Sequence, residues 1–413
     1  MSKDKNVIEL DQYSSSPMIE ELLRSGAQQI LAMALETEIN EYLERHRYIK
    51  TEDEQLQGIV KNGYHKERNL QTSFGPISVK VPRSKNRTDV SIESFASKLI
   101  PKYLRRSLSL EEAIPYFYLA GLSNHDFVPC FEKLFGNDSA GYSSASISRL
   151  KKQWTIEHDK WKNSNLSHKK YCYLWVDGIH FNLRLEDSRL CVLVVIGARE
   201  DGVKELVAVE GGFRESTDSW SELLRGLTHR GMSSPKLCIG DGALGFWAAL
   251  RNVYPKAKQQ RCWVHRTQNI LDKLPKHIQP KAKKMIQQIH MADKKEIALK
   301  NYDKFIDTFE HKYPKATECI SKTKEELFTF FDFPAVHWQH IRSTNIIESL
   351  FSTVRLRTQK TRGQGTMDMT LSMVFKLAQR ASKKWRKLKG YEYIQKVIAG
   401  IEFRNGEVWK QAA

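Results

Sequence analysis

Apolar side chains recur at helical spacing over residues 17–46 (Ile19, Leu22, Leu23, Ile30, Leu31, Leu35, Ile39, Leu43), which predicts an amphipathic helix with a break near Gly26. The period then changes. Arg68–Phe74 and Ile77–Pro82 alternate apolar and polar positions around Gly75-Pro76, the pattern of a hairpin. Lys66, Arg68 and Lys80 lie on its polar face, and Arg83 follows. A basic ribbon of this kind can lie along a DNA groove, and a solvated strand face reads the same way.

Residues 107–162 read as three helices separated by turn signals. Ser109-Leu-Glu-Glu112 has capping-box spacing. The third helix, Ser143–Trp154, opens with small hydroxyl residues and carries Arg149, Lys151 and Lys152. That composition suits a recognition helix, although an ordinary three-helix packing unit shares it. From Lys169 onward, strand-like runs occupy Tyr171–Ile179, Phe181–Leu185, Leu190–Gly197 and Glu205–Glu210. A helix at Ser219–Arg230, a strand at Lys236–Gly240, a helix at Ala243–Val253 and a strand at Gln260–Val264 come next. Together they predict an α/β domain whose mixed sheet carries helices on its faces. Lys273–Phe333 has helical spacing and almost no strand signal, so it reads as a helical insertion. A helix at Asn345–Arg362 and a basic helical tail follow.

Composition narrows the partner. The 413 residues suggest more than one domain, and 40% hydrophobic with 10% aromatic residues suffices for real cores. A formal charge of +18 points to a polyanion, best a nucleic acid. Between Arg355 and Lys389 the chain carries eleven lysines and arginines against one acid, Asp368. Arg355, Arg357 and Arg362 begin that run, which suits a phosphate backbone better than plain solvation. No run of about 18 apolar residues spans a bilayer. The polar start lacks the apolar core of a signal peptide, and six cysteines show no paired spacing. A cytoplasmic, nucleoid-associated protein with no membrane partner is therefore expected.

Three acids carry candidate chemistry. Asp177 and Asp241 each end an apolar strand and precede a glycine. Strand ends are where α/β sheets place ligand-binding groups, yet Asp-Gly is also simple turn chemistry. Glu348, in Ser343-Thr-Asn-Ile-Ile-Glu348, stands three residues after Asn345, so the two could form a capping box. Arg342, Arg355 and Arg357 surround it and favour a site. Magnesium takes oxygen ligands, and two such ions suffice for phosphoryl transfer without a protein nucleophile. Cys262 and His265 supply only half of a zinc site, because four ligands are needed. Trp263 between them suits either a core position or a base-stacking one.

Val176-Asp-Gly, Gly240-Asp-Gly-Ala-Leu-Gly245, Arg261-Cys-Trp-Val-His265 and Arg342-Ser-Thr-Asn-Ile-Ile-Glu348, with Phe74-Gly-Pro-Ile-Ser-Val-Lys-Val-Pro-Arg83 upstream, resemble the IS256-type insertion-sequence transposases. That group is related to the plant Mutator elements, and the likeness spans roughly residues 15–390. The resemblance implies a ribonuclease-H-like sheet with an all-helical insertion and an Asp177–Asp241–Glu348 triad. His265 would act with the triad at the catalytic centre, while Cys262 and Asn345 would support it. The expected cofactor is a pair of Mg2+ ions, with Mn2+ as a substitute. Double-stranded DNA, as element ends and as target, is the expected partner, bound by a homodimer or larger assembly. The expected division is a helical segment at 1–50, a hairpin-containing DNA-binding region at 51–105 and a helix-turn-helix-like domain at 106–165. Catalytic parts at 166–272 and 341–413 would then flank an insertion at 273–340.

Overall fold

The computed structural model describes residues 18–51, 56–122, 126–135, 144–182, 189–212, 214–242, 244–361 and 366–409. The chain forms two compact units, Met1–Leu150 and Lys151–Ala413.

In the first unit, α1 (Met18–Arg45) runs unbroken through Gly26, where the expected interruption does not occur. A glycine inside a helix is tolerated at a cost, and nothing lies within 4 Å of the Cβ position there. β1 (Ile59–Tyr64) pairs with β4 (Pro82–Asn86), and β2 (Arg68–Thr72) pairs with β3 (Gly75–Val79), both antiparallel. The hairpin turn falls on Ser73-Phe74, one step before Gly75-Pro76. The Thr72 hydroxyl closes it by donating to the Gly75 carbonyl at 2.7 Å and accepting from the Phe74 N–H. Leu35 and Ile39 of α1 bury against Leu70, Ile77, Val79 and Val81, so the apolar face of the hairpin is what the helix covers. Next come α2 (Leu108–Ala120), α3 (Phe127–Phe135) and α4 (Ser144–Lys162). α2 starts after Ser107, so Ser109 lies within the helix and not at its cap as the spacing suggested. Ser143 lies outside the described residues.

The second unit is built on a five-stranded mixed sheet of order β7-β6-β5-β8-β9. β5 (Tyr171–Asn182), β6 (Arg189–Arg199) and β7 (Lys204–Gly212) are antiparallel neighbours. β8 (Leu237–Gly240) and β9 (Lys258–Arg261) add in parallel to β5, each reached through a helix: α5 (Thr217–His229), then α6 (Leu244–Val253). β6 is buried on both faces, as its unbroken apolar run requires. One face packs Leu174, Val176, Leu193 and Val195 against Trp220, Leu223 and Leu224 of α5 and Phe246 and Leu250 of α6. Each such fully buried side chain contributes about 1.5–3 kcal/mol of transfer free energy.

The helical stretch contains α7 (Trp263–Leu271), α8 (Gln279–His290), α9 (Lys295–Phe309), α10 (Pro314–Ser321), α11 (Lys324–Phe328) and α12 (Trp338–Ile341). α13 (Asn345–Thr361) and α14 (Met367–Ser382) return to the sheet, where they contact β5 and β7. A short α15 (Ile394–Ile398) and the two-residue strands β10 (Phe403–Arg404) and β11 (Glu407–Val408) end the described chain. Among the described residues, no helix is long and apolar enough to cross a membrane.

Candidate active site

Asp177 does not end its strand. β5 continues to Asn182, merging two runs that the sequence separates at His180. What ends near Asp177 is the parallel partner. The last β5–β8 pair is Trp175↔Ile239, and Asp177 and Asp241 each lie two residues beyond it. The two aspartates therefore meet where β8 leaves the sheet and one edge of β5 opens.

Their glycines have different jobs. Gly242 has φ +99° and a Cβ there would collide with the Arg261 guanidinium at 1.9 Å, so the turn after Asp241 needs glycine twice over. Gly178 is ordinary extended backbone. A Cβ on it would stand 2.6 Å from the carboxylate of Glu215.

Glu215 is the acid that sequence reading missed. It immediately precedes Ser216, whose hydroxyl caps α5 by accepting from the Ser219 N–H at 3.2 Å. Ligand oxygens of Asp177, Glu215 and Asp241 all lie within 4.8 Å of one another. The available signal was glycine inside a strand, which marks a close approach by another group. Burial, followed by the neighbouring Asp241, pushes the Asp177 carboxyl up to about 7 and raises that of Glu215.

Glu348 falls in a second group, with Cys262 and His265. The expected strand Gln260–Val264 stops at Arg261, because Cys262 takes the cap position of α7 and Trp263 opens the helix. The three-residue spacing then brings Cys262 and His265 together. The residue before α13 is Thr344, so the cap expected at Asn345 shifts back by one. The Thr344 hydroxyl lies 3.2 Å from Glu348 Oε1, 3.3 Å from Cys262 Sγ and 3.3 Å from His265 Nδ1. His265 Nδ1 is 3.7 Å from Glu348 Oε1. The Cys262 sulfur beside its ring, then Asp177 and Glu348, hold the His265 imidazole up at about 9. Trp263 is 1% exposed and its indole donates to the Leu327 carbonyl, a core position.

The first group suits a hard divalent cation. Its donors are carboxylate oxygens, and burial with mutual repulsion makes them costly to ionise without a compensating charge. The second group suits zinc poorly. It has three members among the described residues, and its sulfur already accepts from the Thr344 N–H and hydroxyl. Asn345, Arg342, His265 and Glu348 line one cleft of about 590 Å3 beside α7 and α8.

The candidate phosphate-binding residues divide by environment. Lys66, Lys152 and Arg355 are exposed. Lys80 pairs with Glu67 at 3.4 Å, Arg83 donates to the Asn62 carbonyl, and Arg149 reaches the Ser146 hydroxyl at 3.5 Å. The Arg68 guanidinium donates to the carbonyls of Ile100, Pro101 and Lys102, which fixes that loop on β2. Arg342 donates to the His290 carbonyl, and Arg357 is 2% exposed. Lys151, half-buried on α4, has an interaction of its own. Arg362 lies outside the described residues.

Residues 1–387 match the family described as Transposase, Mutator family. The chain is similar to the transposase for insertion sequence element IS6120 of Mycolicibacterium smegmatis, with 45% identity over 302 residues, 72% of this chain and 92% of that one. It is also similar to the transposase for IST2 of Acidithiobacillus ferrooxidans, with 44% identity over 281 residues, 66% and 93% of the two chains. To the transposase for IS256 in transposon Tn4001 of Staphylococcus aureus it is 28% identical over 328 residues, 78% and 80% of the two chains.

Proposed function

The chain belongs to the Mutator family of transposases, and from there we propose that it cuts DNA at the ends of an insertion sequence and joins the freed strands to new DNA. The observation that carries this reading is the convergence of Asp177 and Asp241 from adjacent parallel strands, two residues past their last pair. Three antiparallel strands running into two parallel ones support a ribonuclease-H-like catalytic domain, with α8–α11 as its insertion.

Asp177, Asp241 and Glu348 would hold two Mg2+ ions, for which Mn2+ can substitute. When bound, such ions activate the attacking oxygen and stabilise the leaving one in phosphoryl transfer. The chain's own work is placement. Asp177 and Asp241 sit at the opened edge of β5, while Thr344 and His265 orient the Glu348 carboxylate. Water attacks first to nick the element end, and the resulting 3′-hydroxyl then attacks a target phosphodiester.

Residues 1–165 bind the terminal inverted repeats in this reading, through the β2–β3 hairpin and α4. Two or more copies act together on the DNA. The test combines the full-length protein, Mg2+ and duplexes carrying the element's own ends. Nicked and joined products are expected. Nicking that never yields joined strands would reduce the activity to a nuclease.

A further inference from the structure

Asp177 and Asp241 have a third carboxylate beside them that belongs to neither the triad nor any of the motifs. We infer that Glu215 is a further ligand of the divalent cation, binding it together with Asp177 and Asp241. The inference rests on the metal-dependent reading above and adds a residue to it.

The chain is built around Glu215 from two sides. On β5, a Cβ at Gly178 would come within 2.6 Å of the Glu215 carboxylate, so only glycine leaves that side chain its place beside Asp177. At the start of α6, a Cβ at Gly245 would stand 2.4 Å from the Glu215 carbonyl oxygen and 2.7 Å from the Ser216 carbonyl carbon. Both glycines belong to the short motifs that hold the aspartates, Asp177-Gly178 and Asp241-Gly-Ala-Leu-Gly245. Neither has a positive φ that would otherwise demand glycine. The motifs therefore make room for a carboxylate as well as supplying two.

Glu215 also pairs with His180 at 3.5 Å, but that imidazole is 54% exposed and so a weak partner for a half-buried acid.

The test is Mn2+ binding to the full-length protein without DNA, followed by electron paramagnetic resonance of the free ion. Melting in chelator reports folding separately. Glu215→Gln keeps the shape and the reach to His180 but removes the charge. It should weaken Mn2+ binding at least tenfold, as should Asp241→Asn, with the metal-free melting temperature unchanged or higher. His180→Gln should stay within twofold of the wild type. Wild-type binding in Glu215→Gln, with Asp177→Asn and Asp241→Asn impaired, would overturn the inference and leave the metal reading standing. Equal losses in His180→Gln and Glu215→Gln would also overturn it, because the pair and not the charge would then matter. Undiminished binding in both aspartate variants would bring down the metal reading itself, and this inference with it.

Discussion

The Thr344 hydroxyl lies 3.2 Å from the Glu348 carboxylate one helical turn later, and 3.3 Å from the Cys262 sulfur. One side chain thus ties the start of α7 to the start of α13, although Cys262 and Thr344 are 82 residues apart in sequence. The backbone repeats the tie, since the Trp263 N–H donates to the Arg342 carbonyl at 2.9 Å. Cys262 reaches the acid through Thr344, a residue within the glutamate's own motif, while His265 also faces it directly at 3.7 Å.

Thr344→Val should therefore loosen Glu348 without emptying the site. Losing a hydroxyl that hydrogen-bonds at a buried position costs about 1 kcal/mol of stability, and single-turnover cleavage should slow by about 10- to 100-fold, the range for groups that orient a metal ligand. Thr344→Ser should restore most of both. Wild-type cleavage by the valine variant would show that Glu348 needs no such support.

Asp177→Asn, Asp241→Asn and Glu348→Gln should each abolish cleavage and joining while end binding persists. The Glu348 change separates two roles, because glutamine can still meet the Thr344 hydroxyl but cannot supply a charge. Asp177→Asn carries a second expectation. An amide ends the repulsion between crowded carboxylates, so melting in chelator should rise. Substantial cleavage by any of the three would remove that residue from the catalytic set.

How much of this was legible beforehand follows from what each signal measures. The helices of the insertion and the strands β5 to β8 show their period in the sequence, because each buries one face or both. Asp177 and Asp241 stand out since a carboxylate interrupting an apolar strand is conspicuous. Glu215 does not. It lies in a short polar connection between β7 and α5, and only the fold brings it to Asp177. Its trace was Gly178, which read as a turn residue although the strand passes straight through it. Cys262-Trp-Val was read as strand because three apolar residues fit either period. Arg357 looked like part of a basic surface, yet it is buried, since composition along a helix does not say which face a charge occupies.

Arg68 and Lys66 provide a direct contrast between structure and binding. The Arg68 guanidinium holds three consecutive backbone carbonyls, and removing it takes that donor from Ile100 and Lys102, while Pro101 keeps the Leu104 N–H. Arg68→Ala should lower stability by about 1–3 kcal/mol. Lys66→Ala, at an exposed position, should leave melting unchanged. If Lys66 meets a phosphate, its loss should reduce the slope of log affinity against log salt by about 0.9. Equal melting of the two variants would contradict the division.

Acid should destabilise the fold through two histidines held neutral. Burial, then Arg342, pushes His290 down to about 4, and burial, then Lys204, does the same to His340. The unfolded value is about 6.5. Above that pH neither state binds the proton, so these residues add no pH dependence. Between about 6.5 and 4 the unfolded chain takes up protons that the folded one refuses, and stability falls as pH falls. At pH 5 the deficit is about 2 kcal/mol for each histidine. His290→Gln should lose some stability at pH 8, because the ring packs 5.3 Å from that of Trp263. Its further loss between pH 8 and pH 5 should be smaller than the wild type's by about 2 kcal/mol. Urea midpoints of both proteins at the two pH values give that difference directly, since every other titrating group is common to them. Identical losses would mean that His290 takes up its proton in the folded protein as readily as in the unfolded chain.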